Sequence, residues 1–234
     1  MRLRLLLPLF LLATLPASAQ TPADITSDPH HHLLLQNDQV RVFAVTMRAT
    51  ERAYVRHQHN FLVVTLQDCE SVMWAEGQSD ILNFRFNQGD VRFFFGGSAR
   101  GLRNDHTSEY HNITVEFLNP KVTTYGYQPN LGRWQYGGGV LNPPVDPRAK
   151  FVNTMQLGAA AASDVQLLPG DAFPAPEKEA AELLIPVTDV DLKTQDGNRI
   201  RKSPGEAIWI GSDHKTKLVN NGAGPARFVI VELK

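Results

Sequence analysis

Short apolar runs of strand length, broken by polar and glycine-containing segments, dominate the chain. "QVRVFAVTM", "FLVVTL", "ESVMWA", "ILNFRF", "DVRFFF", "NITVEFL", "ELLIPV", "EAIWIG" and "ARFVIVEL" are rich in Val, Ile, Phe and Trp, with Gly, Asn and Asp between them. Beyond the first residues no segment sustains a 3.6-residue apolar period, so the pattern predicts an all-β protein. "LGAAAAS" (Leu157 to Ser163) has helical propensity, but its place between apolar runs predicts a strand of small residues.

The pattern also repeats. Gly89 and Asn104 are separated by fourteen residues, as are Gly205 and Asn220. Each pair runs into a strand, "NITVEFL" or "FVIVELK", in which Val115-Glu116 and Val231-Glu232 keep the same offset of 116. Two markers and a strand in one register predict duplication of a β unit of ordinary domain size. Gln128 to Arg148, with four prolines and four glycines, is expected to be an irregular connection between units at 20–125 and 149–234.

The leading residues change the picture. "MRLRLLLPLFLLATLPASA" combines Arg2 and Arg4, an apolar core from Leu5 to Leu15 and a closing Ala17-Ser18-Ala19. That is the layout of a secretory signal peptide cleaved after Ala19, which predicts a periplasmic or secreted protein. The apolar stretch is short for a span, and no later segment is long and apolar enough to cross a membrane as a helix. Removing Arg2 and Arg4 from 23 basic residues leaves 21 against 24 acidic ones, a net charge of −3 without the basic surplus of a nucleic-acid binder. The single cysteine, Cys69, excludes an internal disulfide and stands far from any lipid-anchor position.

On these features the chain resembles the cupin superfamily, and specifically a bicupin of two tandem jelly-roll barrels. The family's first motif is G-x5-H-x-H-x3,4-E and its second G-x5-P-x-G-x2-H-x3-N; three histidines and the glutamate usually hold one metal. His57 and His59 match the H-x-H, and Gly89, Gly97 and Asn104 fit the second motif. The glutamate position falls on Val63 or Val64 and the last histidine on Arg100. In the second unit the histidine positions become Pro176 and Lys178, Glu182 stands at the glutamate and Thr216 replaces the last histidine, which leaves that barrel without a metal site.

Residues i and i+2 of a strand share a face, so His57 and His59 are expected to converge in the first barrel, with Phe61 and Val63 continuing their face. His111, alternating with Ile113, Val115 and Phe117, is the expected third ligand; His106, Glu109 and Asp105 are further options for a single divalent metal. Arg100 opposes a metal, because a permanent cation cannot coordinate one, and suits a carboxylate or phosphate through paired hydrogen bonds. The expected pocket for a small anionic ligand therefore comprises His57, His59 and Arg100, with Asn104 holding the turn that positions Arg100. His30 to His32 are expected to be an exposed strand lead-in after a disordered "QTPADITSDP". Trp74, Phe84, Phe86, Phe93 and Phe95 are expected to be barrel core. Ser71 and Ser98 lack a paired His and carboxylate in a recognisable context, which leaves a nucleophilic hydrolase unsupported. Three classes remain: a metal-dependent cupin enzyme (dioxygenase, isomerase or lyase), an exported binding module, and a structural bicupin, possible as a homodimer.

Overall fold

A computed structural model describes residues 21–76, 82–124, 139–141, 146, 148–175, 180–211 and 217–234. The expected signal segment, most of the expected connection, and Pro176, Lys178 and Thr216 lie outside the described residues. Among those described there is no helix.

The first half contributes β1 (Ala23–Asp24), β2 (His31–Gln36), β3 (Val40–Met47), β4 (Arg52–Arg56), β5 (Phe61–Thr65), β6 (Cys69–Ala75), β7 (Leu82–Phe86), β8 (Val91–Phe94), β9 (Ala99–Asn104) and β10 (Tyr110–Phe117). β11 (Gly139–Leu141) comes from the expected connection, yet pairs antiparallel with β8 and extends the first barrel's sheet. The second half contributes β12 (Phe151–Gln156), β13 (Ala160–Leu167), β14 (Ala172–Phe173), β15 (Ala181–Pro186), β16 (Val190–Thr194), β17 (Arg199–Lys202), β18 (Ile208–Ile210), β19 (Leu218–Asn220) and β20 (Ala226–Leu233). The small-residue segment is thus a strand, β13, as expected.

Each half is two sheets closed over a core. Their orders are β1-β4-β9-β6-β7 and β11-β8-β5-β10-β3-β2 in the first, and β12-β13-β20-β15-β18 and β14-β19-β16-β17 in the second. The repeated asparagines do the same work in both. Asn104 Nδ2 donates to the Met47 and Ser108 carbonyls at 3.0 and 2.9 Å; Asn220 Nδ2 donates to those of Leu167 and Gly224, both at 2.9 Å. Gly89 and Gly205 both sit at positive φ, 84° and 93°, where a side chain would be strained.

The largest apolar cluster lies between the halves, not inside either barrel. Val42, Leu62 and Val115 of the first pack with Leu183, Val229 and Val231 of the second. Ile113 and Phe117 belong to this cluster too, so the most apolar face of β10 is the one covered by the other barrel. Tyr110, Asn112 and Thr114, the alternate residues, line the interior of the first barrel. This reverses the inward face expected for that strand. The same reversal moves Phe93 and Phe95 to the contact between barrels, while Phe86 and the partly buried Phe84 stay in the first interior. Trp74 lies outside it too, stacked on Tyr54 over Gly101 (ring centroids 6.4 Å apart), where any Cβ would strike the indole.

Candidate functional site

The interior of the first barrel keeps a cavity of about 70 Å³, walled mainly by apolar and aromatic side chains. Its charged or titratable lining residues include His31, His57 and Arg100. His57 is buried, and its ring lies flat on Phe61, with centroids 3.7 Å apart and planes within 12°. His57 Nδ1 is 3.1 Å from Glu116 Oε1, and Arg41 Nη2 donates to Glu116 Oε2 at 2.5 Å. Glu116 already accepts from Arg41 through one carboxylate oxygen, and its other oxygen accepts from His57, which makes Nδ1 the donor. Burial holds the His57 imidazole below its usual pKa, the Arg100 charge acting the same way, while Glu116 pulls it up. A neutral ring with its proton on Nδ1 follows.

Arg100 is buried in the opposing sheet, where Val55 is its partner across β4 and β9. Its guanidinium lies 5.5 Å over Phe94 and donates to the Phe95 carbonyl at 3.3 Å. A charged fork in an apolar wall is chemistry suited to a carboxylate.

The other expected residues are not brought together with these. β4 ends at Arg56 and β5 begins at Phe61, so His57 and His59 lie in a bend and the two-residue period of a strand does not apply. His59 is half-buried and absent from the cavity wall. The bend is pinned instead: Gly97 N–H donates to the His57 carbonyl at 2.8 Å, and a Cβ on Gly96 would come within 2.3 Å of the His59 carbonyl group. His111 sits on the face of β10 opposite Asn112 and Thr114, and pairs with Glu109 at 3.0 Å. Asn104 is fully buried but outside the cavity wall; it ties the turn after β9, its Oδ1 accepting from His106 N–H at 3.0 Å.

Asp28, His31 and Glu116 belong to the site without being marked for it by the sequence motifs. Ile25 and Asp28 are buried and Ala23–Asp24 pairs with β4, so the stretch expected to be disordered is anchored at these residues. Asp28 Oδ2 meets His31 Nδ1 at 2.7 Å, and the His31 side chain is only 7% exposed, against the expectation of an exposed lead-in. The His31 ring stands edge-on to that of His57, centroids 6.0 Å apart. In the sequence Glu116 stands out only as a marker of the repeat. Its spacing from Asn112 and Thr114 was the available signal: three polar residues on alternate positions of an otherwise apolar strand mark a face that lines something polar.

With the fold and this geometry in view, comparison with known proteins is informative about architecture. No protein-family model matches the chain, and no curated protein does. Among solved structures, AerE from Microcystis aeruginosa is similar with a TM-score of 0.65 at 9% identity, covering 89% of this chain and 94% of that one. A cupin 2 conserved barrel domain protein from Leptotrichia buccalis gives 0.58 at 8%, covering 87% and 88%. A salicylate 1,2-dioxygenase from Pseudaminobacter salicylatoxidans gives 0.59 at 11%, covering 86% and 75%. The fold is that of cupin barrels. At such identities the likeness is one of fold and carries no activity with it.

The cupin metal set does not fit the side chains gathered here. His57 lies in the cavity, Val63 occupies the wall, Arg100 stands in place of a histidine, and His59 and His111 are elsewhere. Among the described residues no group of three or more His, Cys, Asp or Glu side chains is arranged to hold a metal ion. In the second barrel the strand pairing corrects the expected register. Glu116 faces Phe61 across β10 and β5, and Glu232 faces Glu182 across β20 and β15. Glu182 is therefore the counterpart of Phe61, and the counterpart of Val63 is Leu184, because the chain after Gly170 reaches its strand two residues out of step with the motif.

Proposed function

We propose that the chain is an exported cupin-fold protein whose first barrel binds a small carboxylate without requiring a metal. The observation that carries this reading is the buried Arg100 in the wall of a cavity that His57 also lines. A small apolar cavity with a few oriented polar groups is the usual form of a small-molecule site. A hydrogen bond to a charged group contributes about 1.5–3 kcal/mol. Arg100→Ala should therefore weaken binding of a carboxylate by about tenfold or more, since about 1.4 kcal/mol is one decade. Titration calorimetry on both forms checks this; equal affinities would end the proposal. Export is tested separately, by mass spectrometry of the mature N-terminus, with cleavage after Ala19 expected.

The metal-dependent reading has one observation in its favour. Both His31 and His57 meet a carboxylate through Nδ1, the arrangement typical of histidines that bind a metal through Nε2. Elemental analysis of protein purified without added metal or a histidine tag decides between the two. One equivalent of metal, lost in His57→Ala, would replace the carboxylate proposal.

A further inference from the structure

We propose that His31 and His57 each present a hydrogen-bond acceptor to the cavity and that one of them takes the proton of a ligand hydroxyl, so that the ligand of the first barrel is a small hydroxycarboxylic acid. This rests on the carboxylate reading above and adds the ligand's second functional group to it.

The polarity of each imidazole is set from behind. Asp28 Oδ2 lies 2.7 Å from His31 Nδ1, and Glu116 Oε1 lies 3.1 Å from His57 Nδ1. Carboxylates accept, so each Nδ1 carries the proton and donates. A neutral imidazole protonated at Nδ1 has its lone pair on Nε2, which then accepts from whatever shares the cavity. The His57 ring cannot readily turn to exchange the two nitrogens. Phe61 covers one face at 3.7 Å, and Glu116 is itself held by Arg41. The His31 ring is placed by edge contacts with Phe43 at 6.1 Å and with His57 at 6.0 Å.

Both rings and Arg100 border the same cavity. The matching ligand has an anion for the guanidinium and an O–H whose proton one of the imidazoles accepts. A carbonyl in place of the hydroxyl would set two acceptors against each other, leaving a buried polar group unsatisfied. Size narrows the class further. A cavity of about 70 Å³ holds on the order of five water-sized groups, which fits an acid of five or six non-hydrogen atoms.

The test uses the mature chain and five probes: glycolate, the two lactate enantiomers, propionate and pyruvate. Titration calorimetry is expected to show glycolate or one lactate binding at least tenfold more tightly than propionate, with pyruvate no better than propionate. His57→Phe keeps an aromatic ring on Phe61 and should reduce the hydroxyl preference to within about twofold while propionate binding persists. His31→Phe is the second variant, should the first unfold, and circular dichroism checks that each is folded. Equal affinity for hydroxy acids, propionate and pyruvate would overturn this inference and leave carboxylate binding standing. Tighter binding of pyruvate would overturn it as well. Binding of none of the five would overturn both.

Discussion

The two barrels carry the same glutamate in different company. Glu116 and Glu232 occupy matching positions on the last strand of each. Across the sheet Glu116 faces Arg41, whereas Glu232 faces Ala161. On the other side Glu116 faces Phe61 and Glu232 faces Glu182. The first carboxylate is thus neutralised by Arg41 and directed onto His57, while the second meets another carboxyl. The rest of the strand follows suit. Asn112 and Thr114 line the first interior, but Phe228 and Ile230 fill the second with Leu184 and Leu218. One barrel remains hollow and polar at one place; the other is packed. The difference teaches that the capacity for a ligand resides in a few inward positions, not in the shared fold.

The sharpest way to break the comparison is at the glutamates. Glu116→Ala leaves Arg41 and the buried His57 without their acceptor and should destabilise the protein by about 3 kcal/mol or more. Glu232→Ala removes a like charge beside Glu182, so at pH 8 stability should be unchanged or higher. Urea denaturation of both variants gives the contrast; equal losses would show that the two positions are equivalent after all.

Glu182 supplies the next effect. Glu182 is 1% exposed, and among the described residues neither carboxyl oxygen has a hydrogen-bond partner. Burial, helped by the Glu232 charge, pushes its pKa up to about 7. A carboxyl raised on folding contributes stability that is fully present below its unfolded value near 4.5 and lost as pH rises through about 7. Glu182→Gln removes this dependence. Wild type should lose on the order of 2–3 kcal/mol relative to the variant between pH 4.5 and pH 8. Parallel pH profiles would refute the assignment. The depressed His57 acts in the opposite sense in both proteins, which is why the difference between them is the quantity to read.

Where the barrels agree, substitutions should agree. Asn104→Ala and Asn220→Ala each remove two donated bonds to buried turns and should each lower stability by about 2 kcal/mol. Thermal denaturation that separates them widely would weaken the case for a duplicated turn. The smallest contrast lies on β2 and β12, where His31 and Val152 are counterparts through Val45 and Val165. His31→Ala loses its bond to Asp28, about 1–2 kcal/mol, whereas Val152 is 49% exposed and Val152→Ala should stay within about 0.5 kcal/mol.

Much of the architecture was legible in the sequence because it depends on local pattern. The strands, the glycine and asparagine markers and the matching terminal strands all appear where expected. The site was less legible. His57 and Arg100 were found through the motif, and both line the cavity. His59 was misplaced because the strand period was extended through a bend. The apolar pattern misplaces His111 because the greasier face of β10 is the one covered by the second barrel, not the inside. His31 is not legible because nothing near it in sequence announces that Ile25 and Asp28 are buried.

By itself, then, the sequence determined an all-β chain with a repeated unit and named two of the groups that meet in its cavity. Alternation reveals that a strand has two unlike faces, and side-chain chemistry says what each could bind. Only the tertiary structure decided which face was enclosed, since that depends on what covers it. Here the second barrel covers Ile113, Val115 and Phe117, and the polar face of the same strand turns inward to hold Glu116 against His57. The partners that give His31 and His57 their polarity lie 3 and 59 residues away in the chain, and the longer of those distances is closed only by folding.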